Sequence, residues 1–294
     1  MAKYIYLNGQ YLAHNHAMVH VEDRAFLFGD AVYEVIACIH GHFVDERAHL
    51  DRLERSCAEL KMDMPVERET LRVLMRELLR KNKIQNSAIY IQVTRGRAKR
   101  DFKFPSPETR PTLMMMTPAF DFDNNQGVLK GISVKTLPDI RWKRRDVKSI
   151  LLLPQSLAKQ AAVEAGCGDA WMVDDEGYVT EGSASNAYIV KGKEIITRPV
   201  TTSILKGTTR NALENLCGDL GYKFTERKFT PKKAYDADEA FVTGATTLVT
   251  PVLEIDGNKI GTGKIGEISK GLLREYLAYV EGLRQEQVKW ESGL

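Results

Sequence analysis

Apolar residues along this chain recur with two periods, and the change from one to the other marks out the elements. Tyr4-Ile5-Tyr6-Leu7 and Tyr11-Leu12-Ala13 flank Asn8-Gly9, a dipeptide suited to a two-residue hairpin turn, so a strand pair is predicted there. A second strand pair, 32–39 and 42–44, flanks His40-Gly41. Leu50, Leu53, Cys57 and Leu60 then recur at helical spacing and predict a helix over 47–61, with Arg52 off the apolar stripe. A second helix is predicted over 67–82, followed by strands over 88–94 and 112–117.

The polar stretch 119–130, with Pro118 before it and Asp123-Asn124-Asn125-Gln126-Gly127 inside it, interrupts the periodicity. It is expected to link two domains, a smaller one over 1–118 and a larger one over 131–294. Beyond it the pattern predicts a strand over 132–137 and a helix over 155–165. A strand pair, 170–173 and 178–180, surrounds Asp174-Asp175-Glu176-Gly177. Strands over 186–190 and 194–197 and helices over 208–220 and 263–284 complete an α/β reading with two α/β units. The polar tail 285–294 is expected to fray. No internal repeat or low-complexity tract is visible.

Composition narrows the classes. A chain of 294 residues exceeds the usual single-domain size. The formal net charge is only +3 with both signs interspersed, so the electrostatic footprint of a nucleic-acid binder is missing. No apolar run approaches the roughly eighteen residues of a membrane-spanning helix, and the N-terminus lacks a secretory core, so a cytoplasmic protein is expected. Cys38, Cys57, Cys167 and Cys217 are scattered without a metal or disulfide spacing. All six histidines fall between His14 and His49, but none has the spacing of a zinc helix, and no metal is expected.

Lys148, in Asp146-Val147-Lys148-Ser149-Ile150, stands out because of three segments C-terminal to it. An acidic, small-residue turn comes at Glu181-Gly182-Ser183-Ala184-Ser185-Asn186. A helix start comes at Lys206-Gly207-Thr208-Thr209-Arg210, and a second hydroxyl-rich turn at Thr243-Gly244-Ala245-Thr246-Thr247. One amine, one carboxylate and two such turns suit an aldehyde-bearing, phosphorylated pyridine, that is, pyridoxal 5'-phosphate. A lysine condenses with the aldehyde as a Schiff base and, once displaced, shuttles a proton. Glu181 is the candidate to keep the pyridine nitrogen protonated, and Gly207-Thr208-Thr209 offers a helix N-terminus to the phosphate. Taken singly, each residue has a plainer reading. Lys148 would be a solvated lysine, Glu181 a turn residue, Thr208 and Thr209 an N-cap pair, and Arg52 the partner of an acidic neighbour such as Glu59.

Together the motifs resemble those of the fold-type IV, or class IV, pyridoxal-phosphate-dependent aminotransferases. The resemblance is carried by DIRWKRRDVKS over 139–149, EGSASN over 181–186, ILKGTTR over 204–210 and FVTGATTLVTPV over 241–252. Phe28-Gly29-Asp30-Ala31-Val32-Tyr33-Glu34-Val35, His49-Leu50-Asp51-Arg52-Leu53 and Gln92-Val93-Thr94-Arg95-Gly96 are similar to D-amino-acid transaminases within that group. The resemblance implies a two-domain fold with the cofactor between the domains, a homodimer, and ping-pong exchange between an amino donor and a 2-oxo acid. It implies that Lys148 is catalytic, that Arg52 reaches the phosphate, and that Leu205 packs on the ring. By the same resemblance Ser185, Asn186, Gly207, Thr208, Thr209, Gly244, Ala245 and Thr246 help hold the cofactor, Ala245 offering only its N–H.

The resemblance further implies that Tyr33 and an Arg-x-His pair, on a loop contributed by the neighbouring subunit of the homodimer, hold the substrate carboxylate. This chain has Arg100-Asp101-Phe102, and an apolar ring at Phe102 donates no hydrogen bond. Either Arg100 acts with another helper, such as Arg97 or Lys103, or the pocket takes something other than a typical D-amino acid. Exchange between D-alanine or D-glutamate and 2-oxoglutarate or pyruvate is the expected reaction. The alternatives are an (R)-selective amine transaminase, a branched-chain L-amino-acid transaminase, the lyase that makes 4-aminobenzoate, and a scaffold that binds cofactor without turnover. Tyr33-Glu34-Val35 departs from the Phe-Glu-Gly usual in the branched-chain enzymes.

Overall fold

A computed structural model of the protein describes residues 3–292, with side chains over 3–285. The chain divides into two compact units, 1–122 with 147–151 and 123–146 with 152–294. Lys148, expected with the C-terminal domain, therefore belongs to the first unit. Among the described residues no helix is long and apolar enough to cross a membrane.

The first unit is built on β1 (Tyr4–Leu7), β2 (Gln10–Ala13), β3 (Ala31–Ile39), β4 (His42–Phe43), β5 (Ser87–Thr94) and β6 (Thr112–Met116), in the order β2-β1-β6-β5-β3-β4. Asn8 and Gly9 take the positive φ of the hairpin turn, 47° and 90°, which places Tyr6 opposite Tyr11. Three helices accompany the sheet: α1 (Arg24–Phe28), α2 (Glu46–Glu59) and α3 (Arg68–Asn82). Leu50 and Leu53 of α2 and Leu71, Met75 and Leu78 of α3 are buried, each contributing about 1.5–3 kcal/mol through the apolar surface removed from water, and Cys57 of α2 is buried as well.

A buried ion cluster adds to the docking of α2 against β3. Glu34 on β3 is fully buried and accepts from Arg52 Nε at 2.9 Å and Nη2 at 2.7 Å, while His49 Nδ1 lies 3.0 Å from the same carboxylate. Burial alone would raise the Glu34 carboxyl, but Arg52 beside it holds it well below the ordinary carboxylate range. Burial keeps His49 below its ordinary value, so the neutral ring serves as a donor to Glu34.

The segment 147–151 runs beside β3. Tyr33 N–H donates to Lys148 O at 2.9 Å, Ile150 N–H donates to Ala31 O at 3.2 Å, and Val32 and Ser149 form an antiparallel bridge. The Lys148 N–H reaches Ser56 Oγ on α2 at 3.4 Å.

In the second unit α4 (Gln126–Lys130) precedes β7 (Ile132–Pro138), α5 (Leu153–Glu164), β8 (Asp169–Val173), β9 (Val179–Gly182), β10 (Asn186–Lys191) and β11 (Glu194–Thr197). Next come α6 (Thr208–Asp219), β12 (Lys223–Glu226), α7 (Pro231–Tyr235), β13 (Glu239–Gly244), β14 (Leu248–Ile255), β15 (Asn258–Lys259) and α8 (Glu267–Ser292). The mixed sheet runs β12-β11-β10-β13-β14-β7-β8-β9, with β15 on β14. Strand alternation sorts its residues: Ala187 and Ile189 join Trp171, Ile196 and Phe229 in one core, while Tyr188 stacks on Phe241 at 4.6 Å.

Three local expectations differ from the structure. The interrupting stretch 119–130 holds α4, capped by Asn125 Oδ1, which accepts from Gly127 N and Val128 N. The run 239–255, read only as a turn motif, forms two neighbouring strands. The helical backbone of α8 continues to Ser292, so most of the tail expected to fray is helix, and residues 293–294 lie outside the described residues.

Glu34→Gln should remove the buried charge that compensates Arg52 and cost about 3–5 kcal/mol in chemical denaturation at pH 7. A carboxyl depressed in the folded state stabilises fully above its unfolded pKa, about 4.3, and loses that contribution as pH falls further. The gap between wild type and variant should therefore be flat near neutrality and shrink below about pH 4. A gap independent of pH down to acid unfolding would contradict the ion-pair account.

Candidate active site

In the first unit the strand-like segment beside β3 sets Lys148 against Tyr33. Lys148 Nζ donates to Tyr33 Oη at 3.4 Å and stands 4.4 Å from the centre of its ring. Tyr33 stacks on Tyr90, 5.4 Å between centroids at 23°, and Tyr90 Oη donates to Gln92 Oε1 at 2.7 Å. Burial pushes the Tyr90 phenol up, so it stays a neutral donor. The lysine amine is thus held over a supported tyrosine pair, although Lys148 and Tyr33 are far apart in sequence.

Arg52 donates from Nε and Nη2 to Glu34 on β3, and its Nη2 also lies 3.5 Å from His49 Nδ1 on its own helix. Arg100 lies in the irregular segment before β6 and is exposed. Its guanidinium stands 5.6 Å from the Phe28 ring and 5.8 Å from the Phe102 ring, and those rings are 5.7 Å apart. Of the two other basic residues considered as helpers, Arg97 has its Nε 3.5 Å from Glu22.

In the second unit the ends of β9, β10 and β13 gather the remaining predicted residues. Glu181 near the end of β9 is buried, and Arg141 Nη1 donates to it. Asn186 Nδ2 donates to Glu181 Oε2 at 3.1 Å and to Leu205 O at 3.0 Å, and the Leu205 N–H returns to Glu181 Oε2 at 3.1 Å. Burial pushes the Glu181 carboxyl up. Three donors converge on it, and a carboxylate accepts all three without a competing proton, so the ionised form is the one these contacts favour.

Arg141 is itself held by Asp139, Nε to Oδ1 at 2.9 Å and Nη2 to Oδ2 at 2.7 Å. Burial raises the Asp139 carboxyl, and Arg141 and Thr180 outweigh it to leave the carboxyl below its ordinary value. Arg145 Nε lies 3.2 Å from the same Asp139 oxygen. In sequence Arg141 looks like part of a solvated basic run; Asp139 two residues before it is the signal that it is anchored. Tyr90 lies outside the motifs, while Glu34, His49 and Asp139 lie within them without their partners being encoded locally.

Gly207 begins α6 in an extended conformation with no side-chain cap, and a Cβ on it would collide with Asn186 Oδ1. Only glycine lets the helix N-terminus approach this close. Thr208 and Thr209 are buried in its first turn. Asn186 pairs in register with Thr243, so Gly244 falls beside the same end of the sheet, where an added Cβ would meet Thr247 Oγ1 at 2.8 Å. Ala245, Thr246 and Thr247 form the turn that comes next, with Asn125 Nδ2 donating to Thr246 O at 3.1 Å. The buried Thr247 hydroxyl has no hydrogen-bond partner among the described residues.

A helix start without a cap, close-approach glycines, an unpartnered buried hydroxyl and a three-donor carboxylate fit a phosphorylated, protonated pyridine. Ser185 differs from its companions: its hydroxyl donates to Asp169 Oδ2 at 3.3 Å, beside Ser183 Oγ on Oδ1 at 2.5 Å.

Residues 31–255 match the family described as amino-transferase class IV. Over 279 residues the chain is 39% identical to a D-alanine aminotransferase of Staphylococcus haemolyticus, covering 94% of this chain and 98% of that protein. It is 37% identical to a D-alanine aminotransferase of Bacillus licheniformis, covering 91% and 94%. Among solved structures, the branched-chain amino acid aminotransferase of Thermoproteus uzoniensis with norvaline superposes with a TM-score of 0.87 at 25% identity, covering 98% of this chain and 97% of that one. The match over 225 of 294 residues, counted from 31 through 255, and the identity sustained along nearly the whole chain mean that this protein belongs to the class IV aminotransferases.

Proposed function

We propose that this transaminase moves an amino group between a D-amino acid, D-alanine among the donors, and a 2-oxo acid such as 2-oxoglutarate or pyruvate. The observation that carries the reading is the amine of Lys148 held at the Tyr33 hydroxyl, in a chain whose relatives over nearly their whole length are named D-alanine aminotransferases. Class IV aminotransferases use pyridoxal phosphate, whose aldehyde bonds to amino groups and whose protonated ring takes up an electron pair.

The roles of the chain's own residues follow from their surroundings. Lys148 Nζ takes the α-proton of the donor and later returns it, and its contact with Tyr33 Oη orients the amine. Glu181, whose ionised form the donors Arg141, Asn186 and the Leu205 N–H favour, would hold the proton on the pyridine nitrogen. The N–H groups at the start of α6, with Thr208, Thr209 and the Gly244-Ala245-Thr246 turn, would bind phosphate, a role the family resemblance also gives to Arg52. Leu205 would lie against the ring. Tyr33 of one subunit and Arg100 contributed by its neighbour in the homodimer would bind the substrate carboxylate. Phe102 has no hydrogen to donate, which favours weaker carboxylate dependence and leaves an (R)-selective amine transaminase as the second reading.

The enzyme works as a homodimer in the cytoplasm. Met18, Val21, Phe26 and Phe102 each expose more than half of their surface, apolar side chains that a partner subunit would cover. Sedimentation should give a species of twice 33.2 kDa, and a monomer at working concentration would refute the dimer.

Lys148→Ala should lower turnover by about 10²–10⁴-fold or more while phosphate-anchored cofactor remains bound; retained turnover would sink the assignment. Glu181→Gln should keep the Asn186 contact, leave Arg141 without its second anion and lower kcat by about 10²–10³-fold, the scale of losing one preorganised electrostatic contact. A variant with unchanged kcat would remove Glu181 from the ring. A panel of both enantiomers of alanine, glutamate, leucine and 1-phenylethylamine tests the substrate. Turnover confined to L-amino acids would overturn the proposal, and turnover confined to the (R)-amine would establish the second reading.

A further inference from the structure

Arg24 stands at the first position of the short surface helix α1, yet it is 3% exposed. A buried guanidinium persists only if its hydrogens are used, so its partners indicate what it holds. Its Nε donates to Asp30 Oδ2 at 2.7 Å. Its Nη1 donates to the main-chain carbonyls of Asp101 at 2.7 Å and Lys103 at 3.3 Å, and its plane lies 4.5 Å from the Phe28 ring. A second buried arginine shares the same carboxylate oxygen: Arg95 Nε donates to Asp30 Oδ2 at 2.7 Å, and its guanidinium covers Phe104 at 3.8 Å. Arg95 is tied in turn to Lys61 O at 2.9 Å and Leu60 O at 2.7 Å.

The stretch between Arg97 and Thr112 contains no strand or helix, so no backbone ladder fixes it. Two side chains anchor its middle, Arg24 through the carbonyls of Asp101 and Lys103 and Arg95 under the ring of Phe104, while the Ala98 N–H donates to Glu22 O nearer its start. Both arginines are seated on Asp30, which immediately precedes β3 and lies three residues before Tyr33. One carboxylate thereby connects the segment carrying Arg100 to the strand carrying Tyr33. Phe102 is 80% exposed and offers no hydrogen bond, so with Phe28 it only flanks Arg100 and cannot help bind an anion.

We propose that Arg24, seated on Asp30, is the positioning residue that sets Arg100 for the substrate carboxylate and so determines selectivity for donors that carry one. The inference rests on the reading of Arg100 as the carboxylate-binding residue. A lysine at position 24 keeps the charge but has one nitrogen where the arginine uses Nε for Asp30 and Nη1 for the two carbonyls, so it cannot reach both.

In the holoenzyme, Arg24→Lys should raise KM for D-alanine by about 10-fold or more, the scale of losing a hydrogen bond from a charged group, with kcat at saturation within about two-fold. Amide exchange over 99–105 should quicken while β3 and β5 stay protected. Arg24→Lys combined with Arg100→Ala should have a KM no higher than Arg100→Ala alone, because the two act on one contact. Equal losses in kcat and KM, unchanged exchange over 99–105, or additive effects in the double variant would each show Arg24 to be merely structural. If Arg100→Ala leaves KM unchanged, the carboxylate role of Arg100 fails and this inference with it. If Arg100→Ala raises KM and Arg24→Lys does not, the positioning role alone fails.

Discussion

A carboxylate taken out of water must be paired or fully hydrogen-bonded, and pairing with arginine organises the parts of this protein that bear on chemistry. Glu34 with Arg52, Asp30 with Arg24 and Arg95, and Asp139 and Glu181 with Arg141 are all such pairings. Deep ion pairs contribute little net stability compared with apolar packing, but losing one partner strands the other at a cost of several kcal/mol. Their strength is geometric, because a guanidinium fork admits few arrangements once both its edges are used.

The three clusters direct their rigidity differently. Around Glu34 the fork adds to the docking of α2 on β3, and α2 in turn offers Ser56 to the backbone of Lys148. Around Asp30 it gives definition to a stretch without secondary structure of its own. Around Glu181 the anchoring of Arg141 by Asp139 leaves a single Nη1 hydrogen-bonding edge for the carboxylate, while Asn186 links that carboxylate to the chain leading into α6. The proposed chemistry draws on such prior ordering, since groups already oriented need not be ordered during the reaction.

Strand pairing does the rest. The 147–151 segment leaves the second unit's stretch of chain to lie along β3, and the backbone exchange at Tyr33 and Ile150 determines that the Lys148 side chain meets the tyrosine ring. In the second unit the β10–β13 register brings Gly244 to Asn186, and the bare Cα of Gly207 lets α6 begin against the same residue. These are consequences of register, in which a shift by one residue would turn every side chain to the opposite face.

Much of this was legible in the amino-acid order. Local periodicity marked the Asn8-Gly9 hairpin, α2, α3 and β11, because their hydrophobic faces and turn residues are contiguous in the chain. Short motifs of specific chemistry marked Lys148, Glu181 and Gly207-Thr208-Thr209. The strands β13 and β14 were less readable: Pro251 argues against a central strand, and β14 forms nevertheless because neighbours bury it on both sides. The partners Glu34 for Arg52, Asp30 for Arg24 and Arg95, Tyr33 for Lys148 and Ser56 for the Lys148 backbone were decided only by the tertiary structure. Sequence alone determines which residues carry charge, hydroxyls or an amine and which short elements they sit on. Burial determines which charges must pair, and the folded sheet chooses with whom, because both depend on distances between segments that no local pattern encodes.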